Sequence, residues 1–568
     1  MNVSVAYQGR SALTSGAAGE QLLRFAPNLN RDAVAFDAAL RHPLRFREAI
    51  SALHEVVIND LRFKPRDREA YELWKRDERQ REATIRTTEY QRLKQEVLAK
   101  RPDISPDLEQ QFFTKRKRYW SLRDSFSRQL SRRNPELWRQ LMPCDPVVTV
   151  ADDVVFFECF SADQSSYGCL TLDRESALGK SEGLQFGTTN VDYSWALFDH
   201  FQLLRSYRET RLKVDPAGFG ALTTGAGEHR EEKIDLPDGW LRGFMQVQSA
   251  MTLPMRRVTL SRDALYAILA WLRRHKARRS PRALRFELAA GQPPAVVLEP
   301  WEERIVSHGA AWNGPTLEPI RVWGVRRLLS LARLLPLVNS CEVALLGTGL
   351  PSFWIARMGE MRLTLGLSGW TVNDWSGGSA LDLLAPPGTV PAGRLQSATN
   401  VLQRDRALPF AELQSALACS PGDCAATLNQ LAFSGQAIHD LDAGVYRWRQ
   451  VLPMPLGSVE LGAESPELVA ARELTRRRRV KIVSRTATAI GREALVGEVD
   501  GAPVDLVLDR EGGVRSGKCQ CNHHHRAGIR RGPCRHLLAL RLVALSAPQS
   551  ESDSTSDWYN RLLKQFQN

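Results

Sequence analysis

Gly517-Lys518-Cys519-Gln520-Cys521, then twelve residues from Asn522 to Pro533, then Cys534-Arg535-His536-Leu537-Leu538-Ala539-Leu540, is the stretch from which the rest of the chain is read. Three soft thiolates and one imidazole are the donor set of tetrahedral structural zinc. Cys519 and Cys521 stand two apart at the end of a strand-like run, so they point together only if the backbone turns there. Cys534 follows Pro533 and precedes Leu537, Leu538, Leu540, Leu542 and Val543, an apolar helix start. Cys534 and His536 then sit at a helix N-terminus, whose dipole favours a deprotonated thiol. Three thiolates around Zn²⁺ leave a net charge of about −1. Lys518, Arg530, Arg531 and Arg535 lie close enough in sequence to offset it. The expected metal ligands are therefore Cys519, Cys521, Cys534 and His536, and the expected cofactor is Zn²⁺. His523-His524-His525 fall in the gap between the pairs. Adjacent residues cannot all face one ion, so a solvated or phosphate-facing loop is the expectation for them. Gly512-Gly513-Val514-Arg515-Ser516-Gly517-Lys518 matches the first seven positions of a phosphate-binding loop. Cys519 stands where the magnesium-binding hydroxyl belongs, and no helix follows, so nucleotide binding is not expected.

The Cys-x-Cys, variable gap, Cys-x-His order resembles the SWIM-type zinc finger. The flanks agree: Val480-Lys481-Ile482-Val483, Ala494-Leu495-Val496 and Val504-Asp505-Leu506-Val507-Leu508 are strand-like, and a helix follows the second pair. The resemblance covers roughly 480–546. It implies zinc binding, with DNA or protein interaction as the role, and no established catalytic residue. Metal then supplies much of this domain's folding free energy.

Upstream, residues 453–475 are rich in Pro, Gly, Glu and Ala and read as a linker. Pro409 to Ala418 reads as a helix. Ser420 caps a second helix with Pro421 at its first position and Asp423 three after the cap. That helix runs past Leu428, Leu431 and Phe433 to Gly435. Ala437-Ile438-His439 and Val445-Tyr446-Arg447-Trp448 then form a hairpin around Asp442-Ala443-Gly444. Helix, turn, helix, hairpin resembles a winged helix. Groove-reading versions need basic groups on the second helix. Residues 421–435 hold no Lys or Arg, so packing or protein docking is the expected role.

Near Pro146 the hydrophobic period changes from helical to alternating. Val147-Val148-Thr149-Val150 and Val154-Val155-Phe156-Phe157 read as a hairpin around Ala151-Asp152-Asp153. Arg256 to Leu260 reads as a strand, with Ser261 capping a helix to about Lys276. Further strands are expected at 283–288, 295–300, 341–346 and 361–366. Nine of the fourteen Trp fall between Trp195 and Trp375, which points to core and sheet packing. Before Pro146, Leu44, Phe46, Ile50, Leu53 and Val57 make one helical stripe. Residues 68–139 keep a polar helical period broken at Pro102 and Pro106, as in a long hairpin carrying Lys115-Arg116-Lys117-Arg118.

The 568 residues are enough for about three to five domains. Lys and Arg outnumber Asp and Glu by 77 to 64, a net +13. The excess sits in two blocks: 61–140 has 22 basic and 13 acidic residues, and 476–545 has 15 and 6. The stretch 141–475 sums to −4. No apolar run spans a bilayer, so no membrane partner is expected. The first ten residues lack the order of a signal peptide, and nine Cys make no disulfide framework; a cytoplasmic location is expected.

The expected architecture is α+β and multidomain. It comprises a helical, basic N-terminal region (1–145), a Trp-rich mixed α/β middle (146–400) and a winged-helix-like unit (401–452). A linker (453–475), the SWIM-type finger of strands then helix (476–546) and a C-terminal tail (547–568) complete it. The layout, with Leu367-Ser368-Gly369-Trp370-Thr371-Val372-Asn373-Asp374-Trp375 in the middle, is similar to bacterial SWIM-finger proteins. Those are often encoded beside MoxR-type AAA+ ATPases and von Willebrand A-domain proteins. The resemblance implies a non-catalytic protein-binding adaptor, with an AAA+ ATPase assembly among its partners. The alternative is a zinc-dependent nucleic-acid-binding protein acting through 61–140 and 476–545. Asp152, Asp153, Glu302 and Asp374 are scattered carboxylates without a catalytic motif, so no enzyme is expected.

Overall fold

The computed structural model describes residues 4–8, 12–15, 21–25, 34–58, 114–115, 146–161, 164–191, 201–202, 204–207, 209–214, 230–234, 240–276, 282–369, 375, 386, 390–451, 466–487, 493–508, 514–527, 533–545 and 555–566. The chain divides into two units, 60–142 and the remainder. The helical hairpin expected over 68–139, and with it the first basic block, lies outside the described residues apart from Thr114 and Lys115, which are helical and exposed.

The larger unit is mixed α/β with several antiparallel sheets. Its centre is an eight-stranded sheet in the order Arg256–Ser261, Ser340–Leu345, Ser352–Met358, Met361–Leu367, Ser166–Asp173, Val154–Phe160, Val147–Val150, Gly187–Asn190. Both faces are covered, which is why Val154–Phe160 is apolar almost throughout rather than alternating. Val155, Phe157 and Cys159 face one core with the Pro43–Ile58 and Arg262–Arg274 helices and the 3-10 helix Val325–Leu334. Val154, Phe156 and Phe160 face the other, against the Trp240–Met251 helix, where Phe160 meets Phe244 edge-on at 4.8 Å.

The first forty residues correct the expected helical start. Ala12–Ser15, Gln21–Phe25, Thr210–Val214, Ala35–Ala39 and Glu182–Gln185 form a five-stranded sheet, and Ser4–Gln8 pairs with Arg230–Ile234. Phe36 and Ala38 are buried while Asp37 is not, a period of two. The helix appears only at Pro43–Ile58, burying Phe46, Ile50, Leu53 and Val57.

Between 392 and 448 the elements run helix Ala392–Asp405, strand Ala407–Pro409, helices Phe410–Leu417 and Pro421–Phe433, then strands Ala437–Asp440 and Val445–Trp448. The unit therefore begins inside the stretch assigned to 146–400, because Ala398 and Leu402 belong to its core. Ser420 Oγ accepts from the Asp423 backbone N–H at 3.1 Å, with Pro421 at the first position. Nine of the thirteen residues of the Pro421–Phe433 helix are buried. On one side Asn429 Nδ2 donates to Ser249 and Thr252. On the other lies a helix, Thr555–Phe566, in the segment expected to be a tail. Thr555 Oγ1 bonds Asp423 Oδ1 at 2.9 Å, Trp558 and Leu562 are buried, and Tyr559 stacks on Phe410. Gly422 is required there, since a Cβ would stand 2.4 Å from the Thr555 carbonyl oxygen.

The end of the expected linker is also structured. Pro466–Arg476 is a helix that buries Ala471 in the core of the C-terminal sheet. Residues 453–465 lie outside the described residues.

A buried ion pair ties the 392–451 unit to the central sheet. Arg449 and Glu158 are both fully buried; the guanidinium donates to Glu158 Oε2, and Tyr167 donates to Glu158 Oε1 at 2.6 Å. Breaking one partner of such a pair leaves a bare buried charge. Arg449→Met is expected to cost about 3–5 kcal/mol in denaturant titration. Pairing it with Glu158→Leu should restore most of that loss.

Candidate metal centre

The last sheet runs in sequence order: Val480–Ala487, Glu493–Val499, Ala502–Leu508, Val514–Cys519, all antiparallel. Asp500 and Gly501, both at positive φ, make the tight turn between the second and third strands. The Arg535–Leu545 helix lies across one face with Leu537 and Leu540 fully buried. Two glycines let it approach. A Cβ on Gly517 would stand 2.6 Å from Leu537 Cδ2, and one on Gly497 2.6 Å from Leu540 Cδ1.

This packing brings the two Cys-containing pairs together. Cys519 ends its strand opposite Val504, Cys521 precedes the short helix Asn522–Ala527, and Cys534 and His536 sit at the start of the Arg535–Leu545 helix. The ligand atoms of Cys519, Cys521, Cys534 and His536 all lie within 4.8 Å of one another. Among the described residues this is the one such cluster of His, Cys, Asp and Glu. Cys519 Sγ and His536 Nδ1 are 3.5 Å apart. A tetrahedral centre with Zn–S of about 2.3 Å and Zn–N of about 2.0–2.1 Å sets that edge at about 3.5 Å, so the donors fit zinc in kind and in spacing.

The electrostatics point the same way. Burial pushes the Cys534 thiol up to about 12 and raises Cys519 as well, so crowded neutral thiols are the state of the chain without a cation. A bound cation inverts that order, and thiolate ligation releases protons. Burial, then the Arg535 charge, holds His536 below its ordinary range, which favours the neutral imidazole that ligates metals. The His524 backbone N–H donates to Cys521 Sγ at 3.4 Å, a contact suited to a thiolate.

One contributor has no signal in the motif itself. Glu467, in the first turn of the Pro466–Arg476 helix, accepts from the Arg535 backbone N–H at 2.7 Å and pairs with its guanidinium at 2.9 Å. It thus caps the helix that carries Cys534 and His536 from another element, and His523 Nδ1 lies 3.6 Å from the same carboxylate. The imidazoles of His523, His524 and His525 stand outside the four-donor cluster. Of the phosphate-loop look-alike, residues 514–518 lie in the strand Val514–Cys519, with Lys518 paired to Asp505 in register, and residues 512 and 513 lie outside the described residues. Asp153 is bound by Arg447 and Glu302 by Arg285; Asp374 lies outside the described residues. No described helix is long and apolar enough to cross a membrane.

No family model matches the chain, and no curated protein matches it. Two solved structures align with 40% of the chain: the crystal structure of Proliferating Cellular Nuclear Antigen from Entamoeba histolytica (10% identity, 89% of that chain, TM-score 0.27) and the PCNA2-PCNA3 complex from Sulfolobus tokodaii (9% identity, 90% of that chain, TM-score 0.27). Likeness at that level carries no argument about fold or role.

Cys534→Ser is expected to lower bound zinc from about one per chain toward zero and to open 480–546 to proteolysis, read by metal analysis and limited digestion. Glu467→Gln should keep the full zinc content while lowering the stability of the finger by about 1 kcal/mol.

Proposed function

We propose that this chain is a zinc-binding, non-catalytic interaction protein whose C-terminal domain is a SWIM-type finger, acting as an adaptor for protein partners. The observation that carries the reading is the convergence of Cys519, Cys521, Cys534 and His536 between a sheet and the helix laid across it. The order of strands then helix around the ligands is that of the finger it resembles.

Two features support protein docking. The strand Val480–Ala487 pairs only with Glu493–Val499 among the described residues, which makes it the edge strand of its sheet, the position at which a partner strand can add. Val483 on that edge strand is 62% exposed, and its neighbour Val496 is 41% exposed. The winged-helix-like unit is assigned a scaffold role, since its Pro421–Phe433 helix is enclosed by its own neighbours. The partner class is the one the resemblance implies, an AAA+ ATPase assembly.

Affinity purification of the full chain, with and without nuclease, tests this. The adaptor reading expects a stoichiometric protein partner that survives nuclease and is lost with Val483→Arg. Recovery of nucleic acid alone, lost on nuclease treatment, would favour the nucleic-acid alternative and defeat the adaptor.

A further inference from the structure

The Arg262–Arg274 helix lies in the stretch whose overall charge is slightly negative, yet its outer side is cationic. Arg262, Arg273 and Arg274 on the helix, and Lys276 just beyond it, are exposed. None of the four makes an ion pair or side-chain hydrogen bond among the described residues. Tyr266, one turn after Arg262 and two turns before Arg273, shares that side and is 55% exposed.

Helix electrostatics explain only part of this. Arg273 and Arg274 stand in the last turn, where cations complement the dipole. Arg262 stands at the first position, where a cation opposes it, and no carboxylate holds it. The acids near the helix include Asp263 on the helix itself, Glu303 on the adjacent strand and Glu55, whose carboxylate lies 3.9 Å from Arg333 and also feels the charge of Arg273. Beside the cationic end, His275 stacks on Trp271 at 4.0 Å and Trp301 meets Trp271 edge-on at 6.3 Å. All three rings are only partly buried.

We infer that this surface binds single-stranded nucleic acid, with Arg262, Arg273, Arg274 and Lys276 contacting phosphates and Tyr266 stacking a base. Exposed cations that track a backbone, interleaved with an accessible ring, are the elements that bind single strands without sequence preference. A duplex hides the base faces that Tyr266 would stack on, so an unpaired strand suits this surface better than a duplex. The inference stands apart from the finger and concerns a different part of the chain.

The test is fluorescence anisotropy of the full zinc-loaded chain with labelled oligothymidylate and oligouridylate at about 50 mM KCl and above. Wild type should bind both, with log affinity falling linearly with log salt. Arg273→Glu with Arg274→Glu should weaken binding at least about tenfold and flatten the salt slope by about 1.4, at about 0.7 per lost contact. Tyr266→Ala should weaken single-strand binding by about tenfold and leave duplex binding unchanged. Arg274→Gln, the mildest change, should weaken binding about two- to threefold. An unchanged circular dichroism spectrum and unfolding midpoint in each variant show that the fold is kept. No binding by wild type, or equal binding by the charge-reversed chain, overturns the inference. So does equal competition by polyglutamate with Tyr266→Ala behaving as wild type, which would make the surface an acidic-protein site.

Discussion

Three thiols and an imidazole held within 4.8 Å of one another are the constraint on which the C-terminal domain depends. In that space burial makes the Cys519 and Cys534 thiols resist ionisation, and four polar groups crowd together. A divalent cation resolves both problems together. The surrounding structure serves that convergence: glycines at 497 and 517 let the ligand helix lie close on the sheet, and Glu467 caps its N-terminus. That carboxylate also balances Arg535, which sits between two of the ligands in sequence.

The rest of the larger unit is held by burial on both faces of a broad sheet, with a few buried charges as ties. Arg449 and Glu158 link the sheet to the 392–451 unit. Arg447 joins the same two regions through Asp153, and Arg362 on the sheet joins them through Asp440. Burial alone would raise Asp440, but the Arg362 and Arg447 guanidiniums win and hold its carboxyl below the usual range. A depressed carboxylate stabilises the fold above its unfolded-state pKa of about 3.9 and loses that effect as pH falls further.

Most of the centre was legible because its evidence is local. The ligand set follows from residue type and spacing, and the strands at 147–150, 154–160 and 256–261 from runs of β-branched and aromatic residues. What escaped was decided by distant partners. The first forty residues alternate too briefly to declare themselves, and their strands pair with residues 182–234. Pro466–Arg476 looks like linker by composition, and only packing against the ligand helix makes it structural. Trp558 and Leu562 repeat at helical spacing, but nothing near them in sequence shows that they cover the Pro421–Phe433 helix. Summing charge over 141–475 likewise hid the cations at 262–276, since surplus acids elsewhere outweigh them.

These features describe a chain with a Cys₃His cluster able to hold a metal ion in its C-terminal sheet domain and a cationic, ring-bearing helix in its middle. The central claim is the metal centre. Zinc-edge X-ray absorption on the purified full chain tests it most directly. The account predicts one zinc per chain with about three sulfur neighbours near 2.3 Å and one nitrogen near 2.0–2.1 Å. A shell of nitrogen and oxygen alone, or a chain that folds fully and resists chelator without metal, would contradict it.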